Sequence, residues 1–214
     1  MNKIFNFLML AGIVFVTGLS FDAAAAELSY KEISEAYYTS YRYETSGNIE
    51  DAIKAIQLVY SQYPDTYTVN NRLAHLYTLN KQYKNAVSHY KKAIQVLPNS
   101  MTPKLGLMYV YILSEQYKEV TKIGYQVLKV DYYNYFGNLR LAYALRKTGK
   151  TELSEKLLKK ILALYPSDTL FLTELGLLYF EQDKWPSARA IMQDVLILDP
   201  ENVSARQVLL AIKK

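Results

Sequence analysis

Residues 67–100 read YTVNNRLAHLYTLNKQYKNAVSHYKKAIQVLPNS, and the way this stretch recurs decides the fold. Leu73 and Tyr77 lie one helical turn apart, and Val87, Tyr90, Ile94 and Leu97 follow three- and four-residue spacing, so the stretch predicts two amphipathic helices. Small residues at Ala74, Ala86 and Ala93 let two such helices approach within the usual ~8–10 Å between axes. Pro98 ends the second helix, because proline lacks a backbone N–H and disfavours helix in the residue before it. Asn99 then suits a turn into the next unit.

The pattern recurs every 34 residues. Pro64, Pro98, Pro166 and Pro200 fall on one ruler, and the missing mark, at 132, is Tyr132. Ala52, Ala86, Val120, Ser154 and Ala188 form a mostly small column. Tyr43, Tyr77, Tyr111, Leu145 and Tyr179 form a large one, and Leu73, Leu107, Leu141 and Leu175 an apolar one. No insertion or deletion is needed between residues 33 and 200. One helical pair cannot bury both of its faces, whereas stacked pairs share a continuous core, so the period predicts a solenoid.

In these columns the chain resembles the tetratricopeptide repeat (TPR) family. Leu73-Ala74, Tyr77, Tyr83, Ala86, Tyr90, Ala93 and Pro98 match the family pattern, and Leu175-Gly176, Tyr179, Trp185, Ala188 and Pro200 match almost as well. The first copy departs early, with Thr39 and Ser40 where Leu-Gly is usual, and recovers at Gly47, Ala52, Ile56 and Pro64. The expected architecture is all-α: a right-handed superhelical solenoid of five helix-turn-helix repeats, 33–66, 67–100, 101–134, 135–168 and 169–202. A lead-in at 27–32 precedes them, and a C-terminal capping helix at 203–214 covers the last.

The resemblance implies a binding groove lined by the first helix of each pair. Its fifth positions are Tyr37, Asn71, Leu105, Leu139 and Thr173, and its ninth positions are Tyr41, His75, Tyr109, Tyr143 and Leu177. Each fifth–ninth pair shares one helical face. Tyr41, His75, Tyr109 and Tyr143 then form an aromatic stripe, for which contact with a partner and simple packing are both open readings. Arg72, Arg140 and Arg146 are expected to add charge at the groove edges. The Lys/Asn/Arg clamp by which some TPR proteins hold chaperone tails is not reproduced, since Tyr37 and Tyr41 occupy its leading places.

Other tyrosines, Tyr43, Tyr77, Tyr83, Tyr90, Tyr111, Tyr117 and Tyr179, are assigned to packing between helices. The third copy is irregular: Met108 replaces a small residue, Gly124 a large one, and a volume exchange between them is expected. The stretch Asp131 to Phe136 is unusually aromatic for a turn, and reads either as a packed joint or as an exposed patch for a partner.

The N-terminus is a different object. Lys3, the apolar run 7–19 and the four alanines Ala23 to Ala26 read as a secretory signal peptide over residues 1–26, cut after Ala26. An uncleaved inner-membrane anchor is the alternative, although the run is short of the ~20 residues of a membrane span. The chain contains no cysteine, which suits a periplasmic location without disulfides and excludes thiol chemistry. The formal net charge is +5, and no dense basic cluster with interleaved aromatics points to nucleic acid. Lys156, Lys159 and Lys160 read as a solvated convex face.

His75 and His89 have no metal-ligand spacing, no glycine-rich phosphate loop occurs, and no cofactor is expected. His89 is expected on an exposed outer face. The functional expectation is a non-enzymatic scaffold in the cell envelope that holds a protein or peptide segment, within a pilus, secretion, assembly or polysaccharide-export complex. A carbohydrate-binding module using the groove tyrosines and a homo-oligomer are the alternatives.

Overall fold

The computed structural model describes residues 27–212. The signal-peptide segment 1–26 and the last two lysines lie outside the described residues. The described residues form eleven α-helices and no strand. They run in pairs: α1 (Tyr30–Thr45) with α2 (Ile49–Gln62), α3 (Tyr67–Leu79) with α4 (Tyr83–Val96), α5 (Met101–Leu113) with α6 (Tyr117–Val130). The series continues with α7 (Tyr135–Lys147) and α8 (Thr151–Leu162), α9 (Thr169–Glu181) and α10 (Trp185–Leu198), and a final α11 (Val203–Ile212). The first helix, α1, starts three residues ahead of the repeat boundary, because Ser29 and Glu32 form a reciprocal capping box at its end.

Within each pair the turn after the first helix obeys a second ruler. Gly47, Lys81, Glu115, Gly149 and Asp183 all have positive φ, between 56° and 80°, and are 34 residues apart. The next amide closes the helix end in every case: Asn48 onto the Tyr43 carbonyl, Gln82 onto Tyr77, Gln116 onto Tyr111, Lys150 onto Leu145 and Lys184 onto Tyr179, at 2.8–2.9 Å. This is a helix C-terminus closed by a left-handed residue, which turns the chain sharply into the second helix. Unlike the proline ladder, this one has no gap.

At three of the five ruler positions the carbonyl is held by a side chain six residues on. Asn70 Nδ2 donates to the Pro64 carbonyl at 2.7 Å, and Arg206 Nε to that of Pro200 at 3.1 Å. Asn138 Nδ2 donates in the same way to the Tyr132 carbonyl at 3.0 Å. Tyrosine at 132 therefore loses the ring constraint of proline and keeps its acceptor.

Buried side chains from both helices of each pair make the core, with Leu73, Leu76, Leu107, Met108, Leu141, Leu145, Leu178 and Phe171 fully enclosed. Met108 lies against Gly124, which bears out the expected volume exchange. Of the tyrosines assigned to packing, Tyr90, Tyr111 and Tyr179 are buried, whereas Tyr43 is 39 % exposed, a correction that follows from its place in the first, one-sided pair. In α11, Ala205 and Val208 pack on Met192 and Val195 of α10.

His89 is corrected as well. It is half-buried rather than exposed: its ring stacks on Tyr77 with centroids 5.4 Å apart and meets Tyr60 edge-on at 5.0 Å. Its Nδ1 donates to Asn70 Oδ1 at 2.8 Å, because that oxygen can only accept. Burial, and then the nearby Lys92 charge, lower its pKa to about 4, so it is neutral at physiological pH.

The aromatic joint has Tyr132, Tyr133 and Phe136 each about half exposed, with Tyr135 turned inward onto Phe171. Lys160 does not stand free on a solvated face. Its Nζ sits 3.7 Å above the Tyr132 ring and donates to the Tyr132 carbonyl at 2.9 Å, while Lys159 pairs with Glu155 at 2.6 Å.

Candidate functional site

Successive first helices touch one another (α3 with α5, α5 with α7, α7 with α9), and no comparable contact joins successive second helices. The stack therefore bends with the first helices inside, and their ninth-position side chains point along the inner face. Two clefts open there.

The N-terminal cleft, about 570 Å³, is of mixed polarity; Tyr37, Tyr41, Asn71, Arg72 and His75 of the expected groove line it together with Glu44. Glu44 organises it. Its carboxylate accepts from Arg72 Nη1 and from His75 Nε2, the latter at 2.7 Å. Burial pushes the Glu44 carboxyl up, but the hydrogen bonds from Arg72 and His75 outweigh it and leave its pKa lowered. The Arg72 guanidinium lies 3.9 Å from the centre of the Tyr41 ring, which keeps half of its surface in solvent.

The C-terminal cleft, about 440 Å³, is mainly apolar; Tyr109, Leu139, Arg140 and Tyr143 line it, with Phe136, Leu170 and Leu177. Tyr143 packs edge-on against Tyr117, with centroids 5.9 Å apart, and burial first, then the hydrogen bond with Tyr117, push its phenol up to about 12. Arg140 Nη1 donates to the Leu105 carbonyl at 2.6 Å, and its guanidinium carbon lies 5.3 Å from the Tyr109 ring centre and 5.2 Å from that of Phe136. The expected stripe is thus split: Tyr41 and His75 serve the first cleft, Tyr109 and Tyr143 the second.

Three expected groove residues are placed differently from the expectation, although Arg72 still lines the N-terminal cleft. Leu105 packs on the central core and contributes its carbonyl rather than its side chain. Arg72 and Arg146 are buried, not at groove edges. Arg72 Nε and Nη2 hold Ser40 Oγ at 3.1 and 2.9 Å while Nη1 meets Glu44. Arg146 Nε meets Glu174 at 3.0 Å, and its Nη1 meets Glu181.

The two buried pairs occupy one register. Glu44 and Arg146 stand at the twelfth position of their copies, Arg72 and Glu174 at the sixth of the next copy, so each pair spans 28 residues with the charges exchanged. The cause is plain: sixth- and twelfth-position side chains of successive copies face each other, and a carboxylate waits opposite each arginine. Glu44 and Glu174, neither named from the sequence, are the groove residues it missed.

Among the described residues no group of three or more His, Cys, Asp or Glu side chains could hold a metal ion, and no helix is long and apolar enough to cross a membrane.

Two tetratricopeptide repeat models match the chain, over residues 139–203 and 67–99. No curated protein matches it. Among solved structures, a tetratricopeptide repeat protein from Parabacteroides merdae superposes with a TM-score of 0.73 at 18% identity, over 83% of this chain and 70% of that one. MamA from Desulfovibrio magneticus gives 0.73 at 16% identity, over 80% of this chain and 97% of that one. YrrB, described as a TPR protein with an unusual peptide-binding site, gives 0.68 at 13% identity, over 83% and 92%. Together with the 34-residue register and the paired helices, these matches identify the chain as a tetratricopeptide repeat protein.

Proposed function

We propose that the chain is a non-enzymatic interaction scaffold that holds an extended segment of a protein partner along its first helices. The observation that carries this reading is the pair of clefts on the inner face, where Tyr41 and Tyr109 keep 52 % and 45 % of their surface in solvent. Large, rigid aromatic side chains left uncovered in a concave surface are the typical anchors of a recognition site. The repeat fold suits this role, because stacked units present one long surface. With residues 1–26 reading as a signal peptide, the work is assigned to the cell envelope, as part of an assembly, secretion, pilus or polysaccharide-export complex.

The test is site-specific photo-crosslinking in native envelopes. A photoreactive phenylalanine at Tyr109 should capture a discrete protein, and one at Tyr125, half exposed on the second helix α6, should not. Equal capture from both positions, or capture of glycan alone, would sink the reading.

A further inference from the structure

The sixth position of each copy faces the copy before it, and inside the chain all but one of these sites in copies two to five is satisfied. Arg72 meets Glu44. Glu174 meets Arg146. At Gly106 there is no side chain, and the Tyr90 ring fills the space a Cβ would enter. Arg140 is the exception. The twelfth-position residue of the copy before it is Ile112, so no carboxylate stands where Arg72 finds its own.

Arg140 makes one hydrogen bond, to the Leu105 carbonyl, and no ion pair among the described residues. The only acid lining its cleft, Glu174, is already held by Arg146. A partly buried guanidinium between two aromatic rings, with donors to spare and no counter-charge, is completed by an anion. The surroundings say what kind. Tyr109, Phe136, Leu139 and Leu177 make the cleft apolar on both sides of Arg140, so the anion arrives attached to something greasy. The cleft also runs on past Arg140 to Leu170 and Ser204, which suits a chain that passes through rather than one that stops there.

We propose that Arg140 is a specificity-determining residue: the C-terminal cleft takes a partner segment in which an acidic side chain lies beside a bulky apolar residue, with the carboxylate on the Arg140 guanidinium. This rests on the groove reading above and sharpens it. Arg140 makes a charge-assisted hydrogen bond to the partner, the apolar neighbour fills the space between Leu139 and Leu177, and the Tyr109 and Phe136 rings hold the guanidinium plane in place.

The experiment is selection of a random dodecapeptide library displayed on phage against the wild-type protein, Arg140→Gln and Arg140→Lys, each first shown to melt within a few degrees of wild type. The wild type should enrich Asp or Glu within two residues of Leu, Phe or Tyr. Arg140→Gln should keep the apolar preference and lose the acid, and Arg140→Lys should keep part of both. For the best sequence made as a synthetic peptide, Glu→Gln should weaken wild-type binding by at least about tenfold and leave Arg140→Gln binding unchanged. Amidating its C-terminus should change nothing; a loss on amidation would mean a chain terminus is being read, and would overturn the internal-acid assignment. Apolar peptides without acid preference would overturn this inference and leave the groove reading standing. Failure of the wild type to enrich any sequence would overturn both.

Discussion

The methyl carbon of Met108 lies 3.1 Å from the place where a Cβ on Gly124 would be, and Leu141 closes the same space at 3.1 Å from the other side. A long side chain on α5 and an absent one on α6 thus share one volume. Met108→Ala should leave a cavity and cost about 2–4 kcal/mol. Gly124→Ala alone gains helix propensity but crowds two neighbours, and should be destabilising or neutral. The double variant should be more stable than the sum of the two, by roughly 1 kcal/mol. Urea unfolding of all four proteins measures this; strict additivity would refute the shared volume.

The left-handed turn ladder gives a clean backbone test. Gly149 has φ +73° and nothing within 4 Å of an added Cβ, so Gly149→Ala should cost about 1–2 kcal/mol from backbone strain alone. Glu115, with φ 56°, is the converse. Glu115→Gly should be stabilising by roughly 0.5–1 kcal/mol, because relief of the left-handed strain exceeds the added entropy of the unfolded chain. Melting curves of the two variants should move in opposite directions.

His89 makes stability depend on pH. In the folded chain burial holds its pKa at about 4, below the ordinary value of 6.5. Between those two values the unfolded chain binds a proton that the folded chain refuses. Stability from this residue is complete above the upper value, falls as pH drops through the window, and changes no further below about 4. The difference in unfolding free energy between wild type and His89→Gln should therefore shrink from pH 7 to pH 4. A difference that stays flat would rule out the buried neutral imidazole.

Arg146 anchors two carboxylates, and Arg146→Met should cost about 3–5 kcal/mol, since it strands buried charge. Glu174 adds a pH signature. Burial raises its pKa, and Arg146 opposes the rise. A carboxyl that holds its proton more tightly when folded weakens the fold as pH rises through the window above its unfolded value. Without Arg146 that window should extend to higher pH, so the variant should lose more stability than wild type between pH 5 and pH 8 in parallel urea titrations.

Asn138 ties the aromatic joint through the carbonyls of Tyr132 and Asn134, at 3.0 and 2.8 Å. Asn138→Ala should cost roughly 1 kcal/mol by removing these two side-chain bonds, since Lys160 still donates to the Tyr132 carbonyl and the 138 backbone amide to that of Asn134. Amide exchange should rise first in α6 and α7 rather than across the whole stack; a uniform rise would show that the joint is not the point that opens.

The helical pairs and their register were legible because side-chain volume repeats visibly: Leu73, Leu107, Leu141 and Leu175 can be lined up by eye. The turn ladder was not, because a left-handed backbone leaves no mark on residue identity when Lys81, Glu115 and Asp183 adopt it as Gly47 does. Tyr41, His75, Tyr109 and Tyr143 were legible as a set because the resemblance names the ninth position of each copy as groove-facing. Arg72 and Arg146 are buried rather than free at the edges because a long flexible cation can reach either solvent or the neighbouring copy, and what decides is an acid 28 residues away. That spacing was present in the sequence; it becomes readable only once the sixth and twelfth positions are known to face each other.

The exchanged charges of the two buried pairs carry a further meaning. If the second copy stacked on the fourth, Arg72 would meet Arg146; if the fifth stacked on the first, Glu174 would meet Glu44. Repeats with nearly interchangeable shapes are open to being assembled in the wrong order, within one chain or between two. These two mistaken junctions confront like with like in a site with little water to screen it, so the polarity of an ion pair acts as an address against those two exchanges.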